Sequence, residues 1–153
     1  MDKAISLREL LAEEAPITDP IYDALRFART DPTCTRMLGA FDDLGELVGL
    51  GRLIDLGVHA GAQHRELGGM WVAPSRRGRG LAGRIIQSVI DWSPAESTLW
   101  CTPFEHLEEL YAAHQFRTVG TEDAPPRLIE RLAGCASAQD QSVIVMRFLR
   151  RPR

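Results

Sequence analysis

Apolar positions along the chain follow two different periods, and the change of period divides the sequence into predicted strands and helices. The stretch 57–64 has neither period and is predicted to be a loop. Over 81–90 the apolar residues recur at i, i+4 and i+8, which predicts an amphipathic helix. Short segments with the composition of strands lie at 4–8, 36–41, 46–56 and 66–73.

The remaining segments alternate between the two kinds of element. Thr102-Pro103-Phe104-Glu105 matches a capping box with proline at the first helical position, which predicts a helix from there to residue 114. This order of strands and helices favours an α/β fold, an α+β sandwich whose sheet is mixed rather than doubly wound. Further strands are expected at 97–101, 116–119 and 142–149, and helical pieces at 10–15, 21–28 and 128–132.

The composition is that of one soluble globular domain. The chain has 153 residues, of which 44% are hydrophobic and 25% charged, so disorder and collagen-like structure are excluded. A net charge of −3 argues against extensive nucleic-acid binding. Of the 18 basic side chains only Lys3 is a lysine, which leaves 17 arginines. Any anion site must therefore use arginine guanidinium groups or backbone amides.

The cysteines and the N-terminal residues bear on the compartment. Cys34, Cys101 and Cys135 are far apart and form no CxxC pair, which argues against a disulfide framework and against a zinc site. Charged residues within 1–20 interrupt any signal-peptide segment, and no apolar run approaches the roughly 18 residues of a membrane helix. We therefore expect a protein of the reducing cytoplasm, without membrane contact or bound metal.

The most informative stretch is 71–83, where a strand ends at Pro74 and a loop rich in arginine and glycine leads into the predicted helix. Glycines let backbone N–H groups approach a ligand closely, and a helix N-terminus adds unpaired donors and a positive dipole end. This combination favours an anion site suited to a pyrophosphate. The alternative is a solvated basic turn, because short glycine motifs are weak on their own.

A dinucleotide fingerprint is another interpretation of the same loop, since Gly78-x-Gly80-x-x-Gly83 has its spacing. In that motif the loop follows its strand directly, whereas here residues 74–77 intervene. The nearest acidic residue, Glu96, precedes the next strand instead of ending it. Both points argue against a Rossmann domain.

The loop resembles the acetyl-CoA-binding motif of the GCN5-related N-acetyltransferases, which is Arg/Gln-x-x-Gly-x-Gly/Ala after a Val-x-Pro strand end. Arg77, Gly80 and Ala82 occupy the motif positions, and Val72-Ala73-Pro74 precedes them. The segment 45–52 resembles the third strand of the family, and 110–116 resembles its Leu-Tyr-x-x-x-Gly-Phe element. The resemblance covers residues 36–120.

The resemblance implies a mixed, mostly antiparallel sheet with a splayed parallel strand pair, flanked by helices, in a single domain over 1–153. It also implies acetyl-CoA as co-substrate, with the pantetheine arm in the splay and the pyrophosphate on the loop amides. The residues that would bind acetyl-CoA are Met70, Trp71, Val72, Arg77, Gly78, Arg79, Gly80, Leu81, Ala82 and Gly83.

The resemblance further implies the catalytic groups. Tyr111 matches the general acid of the family, and the alternative is a tyrosine packed between helix and sheet. Glu66 resembles the family's water-relayed base, with an exposed strand-start carboxylate as the alternative. His59 and His64 could act in its place, because histidine titrates near neutral pH. Asp55 could bind the acceptor amine, with a solvent-facing aspartate as the alternative.

Two residues depart from the family pattern. Phe104 stands where many members have an asparagine, so a polar contact to CoA is expected to be missing. Gln115 replaces the glycine before Phe116, which predicts a different helix ending because glycine is favoured there. The segment 121–141 is expected to form either a helical insertion over the acceptor site or a surface excursion.

The resulting expectation is an N-acetyltransferase that transfers an acetyl group from acetyl-CoA to a primary amine of a small molecule or peptide in a ternary complex. The alternative is a non-catalytic CoA-binding module that regulates or binds a partner. Such a module would keep the glycine loop without needing Tyr111. Dimers are common in the family, so a homodimer is a further expectation.

Overall fold

Seven strands and four α-helices lie in the described part of the chain, which comprises residues 4–138 and 141–150 of a computed structural model. The strands are β1 (Ser6–Leu10), β2 (Thr35–Phe41), β3 (Leu47–His59), β4 (Ala62–Val72), β5 (Thr98–Cys101), β6 (Phe116–Thr118) and β7 (Met146–Phe148). The helices are α1 (Ala15–Leu25), α2 (Leu81–Trp92), α3 (Glu108–Ala112) and α4 (Pro126–Ala138). No helix within these two ranges is long and apolar enough to cross a bilayer.

The strands form one mixed sheet of seven in the order β1-β2-β3-β4-β5-β7-β6. β4 and β5 run parallel, and the other neighbouring strands are antiparallel. Helix α2 connects the parallel pair, because parallel strands need a crossover. The expected mixed, mostly antiparallel sheet with one parallel pair and flanking helices is confirmed.

The stretch 57–64 is not the predicted loop but the end of a long hairpin. β3 continues to His59, β4 begins at Ala62, and Ala60 and Gly61 join them with φ angles of 51° and 79°. Two successive positive φ values suit the twist of a two-residue hairpin turn. Gly57 lies at a shift in the strand register, which interrupts the alternation that would have identified the strand.

β4 carries a bulge where it separates from β5. The parallel ladder ends at Leu67, and β4 continues to Val72 beyond it. Two residues of β4, Gly69 and Met70, face the single β3 residue Gly51. Gly69 has a φ of 60°, which glycine adopts without a Cβ clash. The bulge therefore opens a space between residues 68–72 and the end of β5, called the β4–β5 gap below.

The two faces of the sheet are covered differently. On one face α2 lies close to β3, because a Cβ on Gly51 would stand only 2.6 Å from Ile85 Cγ2. On the other face there are two separate apolar clusters, one under α1 and one under α4. The charged residues Arg52 and Glu66 are buried on β3 and β4. The face under α1 and α4 therefore has a polar centre between apolar flanks.

Helix α3 begins at Glu108 rather than at the predicted capping box. The backbone of 103–105 is already paired with the segment before β7. The N–H of Ile144 donates to the Pro103 carbonyl at 3.0 Å, and the N–H of Glu105 donates to the Ser142 carbonyl at 2.9 Å. This pairing delays the helix and leaves only the three residues of β7 in the sheet from the predicted strand 142–149.

Helix α1 differs from the helical pieces predicted at 10–15 and 21–28, because β1 ends at Leu10, Ala12–Glu14 forms a short 3-10 helix and α1 then runs from Ala15 to Leu25. Pro16 lies in the first turn, where its missing N–H leaves no bond unmade. Pro20 lies inside the helix and removes one bond to the carbonyl of residue 16. The helix ends at Arg26, which adopts a left-handed φ of 59°.

The end of α3 also differs from the prediction. Gln115 has a φ of 71° and thus adopts the left-handed conformation that glycine would take there. The left-handed helix ending is retained at the exposed Gln115. Because this residue has a Cβ, the conformation lowers the free energy of unfolding by roughly 1–2 kcal/mol. The reversal sends the next residue, Phe116, into the core, where it is 3% exposed.

Replacing Gly69 with alanine is expected to lower the free energy of unfolding by about 2–4 kcal/mol. The new Cβ would lie 2.8 Å from Tyr22 Oη and 2.9 Å from Arg52 Cζ, on a residue with positive φ. Urea denaturation of the two proteins measures the difference.

Gly57→Ala is the matched control, because its φ is 82° and no atom lies within 4 Å of the new Cβ. It should cost only about 1 kcal/mol, from backbone strain alone. Equal losses in the two variants would show that the packing around the bulge is not tight.

Candidate active site

A cavity of about 620 Å³ lies at the β4–β5 gap. Residues 66–70 of β4 form one wall, and residues 101–104, at the end of β5 and just after it, form another. The end of α1 and residues of α4 close the remaining sides. Three of the predicted site residues, Glu66, Met70 and Tyr111, line it together.

Tyr111 is buried in the wall of this cavity and is 4% exposed. Its ring meets Phe116 edge-on with 5.9 Å between the ring centroids. Burial raises the pKa of the Tyr111 hydroxyl above its usual value, and the nearby Cys101 raises it further. The phenol is therefore neutral at physiological pH and can donate a proton.

Glu66 is buried rather than an exposed carboxylate at a strand start, because β4 begins four residues earlier at Ala62. Arg131 of α4 holds it in a two-point ion pair. Arg131 Nε donates to Glu66 Oε1 at 2.8 Å, and Nη2 donates to Oε2 at 3.3 Å. Both oxygens of the Glu66 carboxylate therefore have a charged hydrogen-bond donor within the protein.

The histidines and Asp55 do not line the cavity. Trp100 Nε1 donates to His64 Nδ1 at 3.0 Å, so the His64 proton lies on Nε2 and is donated to the His59 carbonyl at 3.1 Å. Both nitrogens of His64 are therefore occupied by protein groups. Asp55 accepts from the Gly57 N–H at 2.8 Å and from the Gln63 amide, so it stabilises the hairpin.

The glycine-rich loop lies outside the cavity, at the start of α2. Gly78 and Gly80 have φ angles of 76° and 80°, and open space surrounds the position of a Cβ at each. Leu81, Ala82 and Gly83 form the first turn of α2, whose N–H groups have no partners within the helix. Unpaired amides at a helix start are donors that can bind an anion.

Two of the loop arginines bind the protein itself. Arg76 Nη2 lies 3.2 Å from the Asp42 carboxylate, and Arg77 Nε donates to the Val72 carbonyl at 3.0 Å. Arg79 lies between the two glycines of the loop. The backbone amides of the loop are therefore more available to an anion than the side chains of Arg76 and Arg77.

The end of β4 offers backbone groups to the gap. The Ala73 N–H donates to the Val48 carbonyl of β3 at 2.9 Å, so the preceding residue, Val72, directs its backbone groups to the opposite side. By the same alternation, the backbone groups of Met70, two residues earlier in β4, also point away from β3. Their side chains pack against the α2 side, whereas Trp71 packs in the cluster under α1.

Several lining residues were not found from the sequence: Phe27, Arg52, Arg131 and Cys135. One signal existed for Arg52, because it is the single charged residue in the otherwise apolar run 47–54. Arg131 and Cys135 come from α4, in the segment where the family resemblance ends. Among the residues of the described ranges, no group of three potential ligands could hold a metal ion.

A parallel strand pair that separates beside a glycine-rich helix start defines an acyl-CoA N-acyltransferase fold. The model of the Acetyltransferase (GNAT) family matches residues 4–119, and the chain belongs to this family. None of the curated proteins compared with it matches.

Solved structures with the same fold are similar to this chain. N-acetylglutamate synthase from Neisseria gonorrhoeae, complexed with coenzyme A and N-acetyl-glutamate, has a TM-score of 0.69 at 18% identity, over 98% of this chain and 36% of that one. This chain thus spans about a third of that protein. Arabidopsis thaliana NAA60 in complex with a bisubstrate analogue has a TM-score of 0.67 at 13% identity, over 95% of this chain and 97% of that one. Escherichia coli ElaA has a TM-score of 0.66 at 14% identity, over 95% of this chain and 100% of that one.

Replacing Arg131 with methionine is expected to lower the free energy of unfolding by about 1–3 kcal/mol, because it leaves the buried Glu66 carboxylate without its partner. The double variant Glu66→Gln/Arg131→Met should recover most of this loss, since no charge is then stranded. Urea denaturation of the wild type, both single variants and the double variant forms a thermodynamic cycle. Additive effects of the two changes would contradict a coupled pair.

Proposed function

We propose that the protein is an N-acetyltransferase that transfers the acetyl group of acetyl-CoA to a primary amine of a small molecule or peptide. Transfer is direct, within a complex that holds both substrates. The observation that carries the proposal is the neutral, buried Tyr111 in a cavity at the β4–β5 gap. The family and the fold agree with it.

The chain fits acetyl-CoA at two places. The Val72 N–H and the backbone groups of Met70 point away from β3 and would pair with the pantetheine arm, whereas the Val72 carbonyl already accepts from Arg77 Nε. Open space at Gly78 and Gly80 leaves room for a pyrophosphate on the amides of 77–82. Acetyl-CoA supplies an activated thioester, and the solved structure of the Neisseria gonorrhoeae protein is complexed with coenzyme A.

Tyr111 acts as the general acid in this proposal. Acyl transfer requires a proton for the departing thiolate. Because burial keeps the Tyr111 proton on Oη, the phenol is in the donating form when acyl transfer occurs. Its position in the cavity wall beside Cys101 places it at the gap.

Glu66 acts as the general base. The amine must lose its proton before it attacks, and Glu66 and Asp23 are the carboxylates among the described residues that line the cavity. Asp23 is bound at two points by Arg29, at 3.0 Å and 2.7 Å, toward the surface. Glu66 lies deeper, on β4 beside the bulge, and would receive the proton through a water molecule.

The setting of the protein is also part of the proposal. Its three cysteines are free, which supports a reducing cytoplasm as the place of action. A single domain over 1–153, with the helix α4 as an insertion, and a homodimer remain predictions.

Tyr111→Phe is expected to lower kcat about 100-fold or more, because the acid is removed, while the Kd for CoA stays nearly unchanged. Thiol release from acetyl-CoA gives the rate, and calorimetric titration with CoA gives the affinity. Thermal unfolding controls for the fold. A parallel loss of rate and affinity would show that Tyr111 is a packing residue.

Glu66→Gln is expected to lower kcat/KM about 100-fold at neutral pH. The deficit should shrink as the pH rises, because more of the amine is then already neutral. Asp23→Asn is the matched control, since it removes the other lining carboxylate and should change kcat/KM little. A deficit that stays constant with pH would exclude Glu66 as the base.

A non-catalytic CoA-binding module is the second candidate function. The observation that favours it is the two-point ion pair that engages Glu66, together with Phe104 in the cavity wall where many family members have an asparagine. A panel of amines, peptides and aminoglycosides incubated with acetyl-CoA separates the two candidates. CoA binding without acylation of any amine would support the module.

A further inference from the structure

Arg52 is a buried cation at the centre of the sheet. It lies on β3 and is 4% exposed. Gly51 beside it faces α2, so the alternation of the strand directs Arg52 to the face under α1 and α4. There it lines the central cavity.

The contacts of Arg52 contain no negative charge. Its Nη1 donates to the Ala28 carbonyl at 2.9 Å and to Thr30 Oγ1 at 3.1 Å. The guanidinium lies over the Tyr22 ring, 4.1 Å from the centroid. Its Nε is buried without a hydrogen-bond acceptor. Among the described residues no carboxylate forms an ion pair with it.

The rest of the cavity does not supply the missing charge. Its charged lining consists of three arginines (Arg26, Arg52, Arg131) and two acids (Asp23, Glu66). Each acid already accepts two bonds from one arginine, Asp23 from Arg29 and Glu66 from Arg131. Burial lowers the pKa of Arg52 below its usual value, and the opposing electrostatic effects of Tyr22 and Glu66 offset this only in part. A guanidinium nevertheless stays protonated in proteins, so the charge persists.

Arg52 lies at the point where the proposed reaction takes place. A Cβ on Gly69 would stand 2.9 Å from Arg52 Cζ, so the guanidinium touches the bulge that opens the β4–β5 gap. A ligand beside the gap is therefore also beside this cation. A buried charge without a counter-ion is costly to the fold, and a bound anion would remove that cost.

We propose that the acceptor is a primary amine that also carries a carboxylate, an amino acid or a similar compound, and that Arg52 binds the carboxylate. The proposal rests on the function proposed above and narrows its substrate class. The planar guanidinium matches the two oxygens of a carboxylate. The net positive lining correspondingly disfavours diamines and polyamines, whose second ammonium group would be repelled.

The test compares amines that differ only in that charge. Free L-amino acids and β-alanine are each assayed beside their carboxamides, with putrescine and phosphoethanolamine as further acceptors, by thiol release from acetyl-CoA. For the best pair we expect kcat/KM to favour the carboxylate by about 100-fold or more, since the site is built around that group. Arg52→Met should reduce the ratio to near one, and Arg52→Lys should restore part of it.

Two measurements separate this role from a structural one. Arg65→Met is the matched control, because Arg65 also has a buried Nε without a partner but does not line the cavity. In this variant the ratio of kcat/KM for the acid to kcat/KM for its amide should equal that of the wild type. Arg52→Met should leave the melting temperature unchanged or higher, since it removes an uncompensated charge. A large fall in melting temperature with the ratio unchanged would overturn the proposal.

The failure of this proposal can be told from that of the proposed function. Equal acetylation of acids and amides, or a preference for putrescine or phosphoethanolamine, would overturn the carboxylate site and leave the acetyltransferase intact. If no amine is acetylated, the CoA-saturated protein is heated with the amino acids and with their amides. A melting temperature raised by the acids but not by their amides, with the rise lost in Arg52→Met, would support the carboxylate site. Equal melting temperatures with acids and amides would overturn it.

Discussion

The bulge at Gly69 is the local feature on which the rest of the site depends. Because Gly69 and Met70 face one residue of β3, β4 turns away from β5 after Leu67. The Tyr22 hydroxyl donates to the Gly69 carbonyl at 2.8 Å and fixes α1 to this point. The same backbone conformation thus opens the gap, anchors a helix and leaves room for Arg52. No residue with a Cβ could occupy the position without displacing its neighbours.

Charge is concentrated where the sheet would otherwise be apolar. Arg52 and Glu66 lie in the middle of two long strands, and each is buried. A core of the same shape built from apolar residues would be at least as stable, because buried ions lose hydration that their contacts only partly replace. The charges are therefore better explained by a ligand than by the stability of the fold. An acid for the thiolate, a base for the amine and a cation for the acceptor would then share one cavity.

Local features were predictable from the sequence. The helix α2 follows from its apolar period, and the loop before it follows from glycines whose positive φ angles the structure contains at Gly78 and Gly80. The splayed parallel pair was expected only through the family resemblance, because strand order depends on contacts distant in the sequence. The hairpin turn at Ala60 was missed, since alanine rarely adopts a positive φ.

The charged contacts were beyond the reach of sequence patterns. Arg131 is an ordinary surface-type residue on an amphipathic helix until α4 packs over the sheet and brings it to Glu66. Arg52 is conspicuous in its strand, yet its lack of a counter-ion emerges only when the neighbouring elements are in place. Pairwise charge balance is a tertiary property, so the motif position of Tyr111 could be read from the sequence while the charged lining from Arg52 and Arg131 could not.

A crystal structure of the protein with CoA bound tests the proposed site most directly. We expect the pyrophosphate to lie on the amides of 77–82 and the pantetheine to pair with the backbone of Met70 and Val72. The sulfur should end within hydrogen-bonding reach of Tyr111 Oη. CoA bound elsewhere, or with its thiol turned away from Tyr111 and outside the β4–β5 gap, would contradict the proposed site.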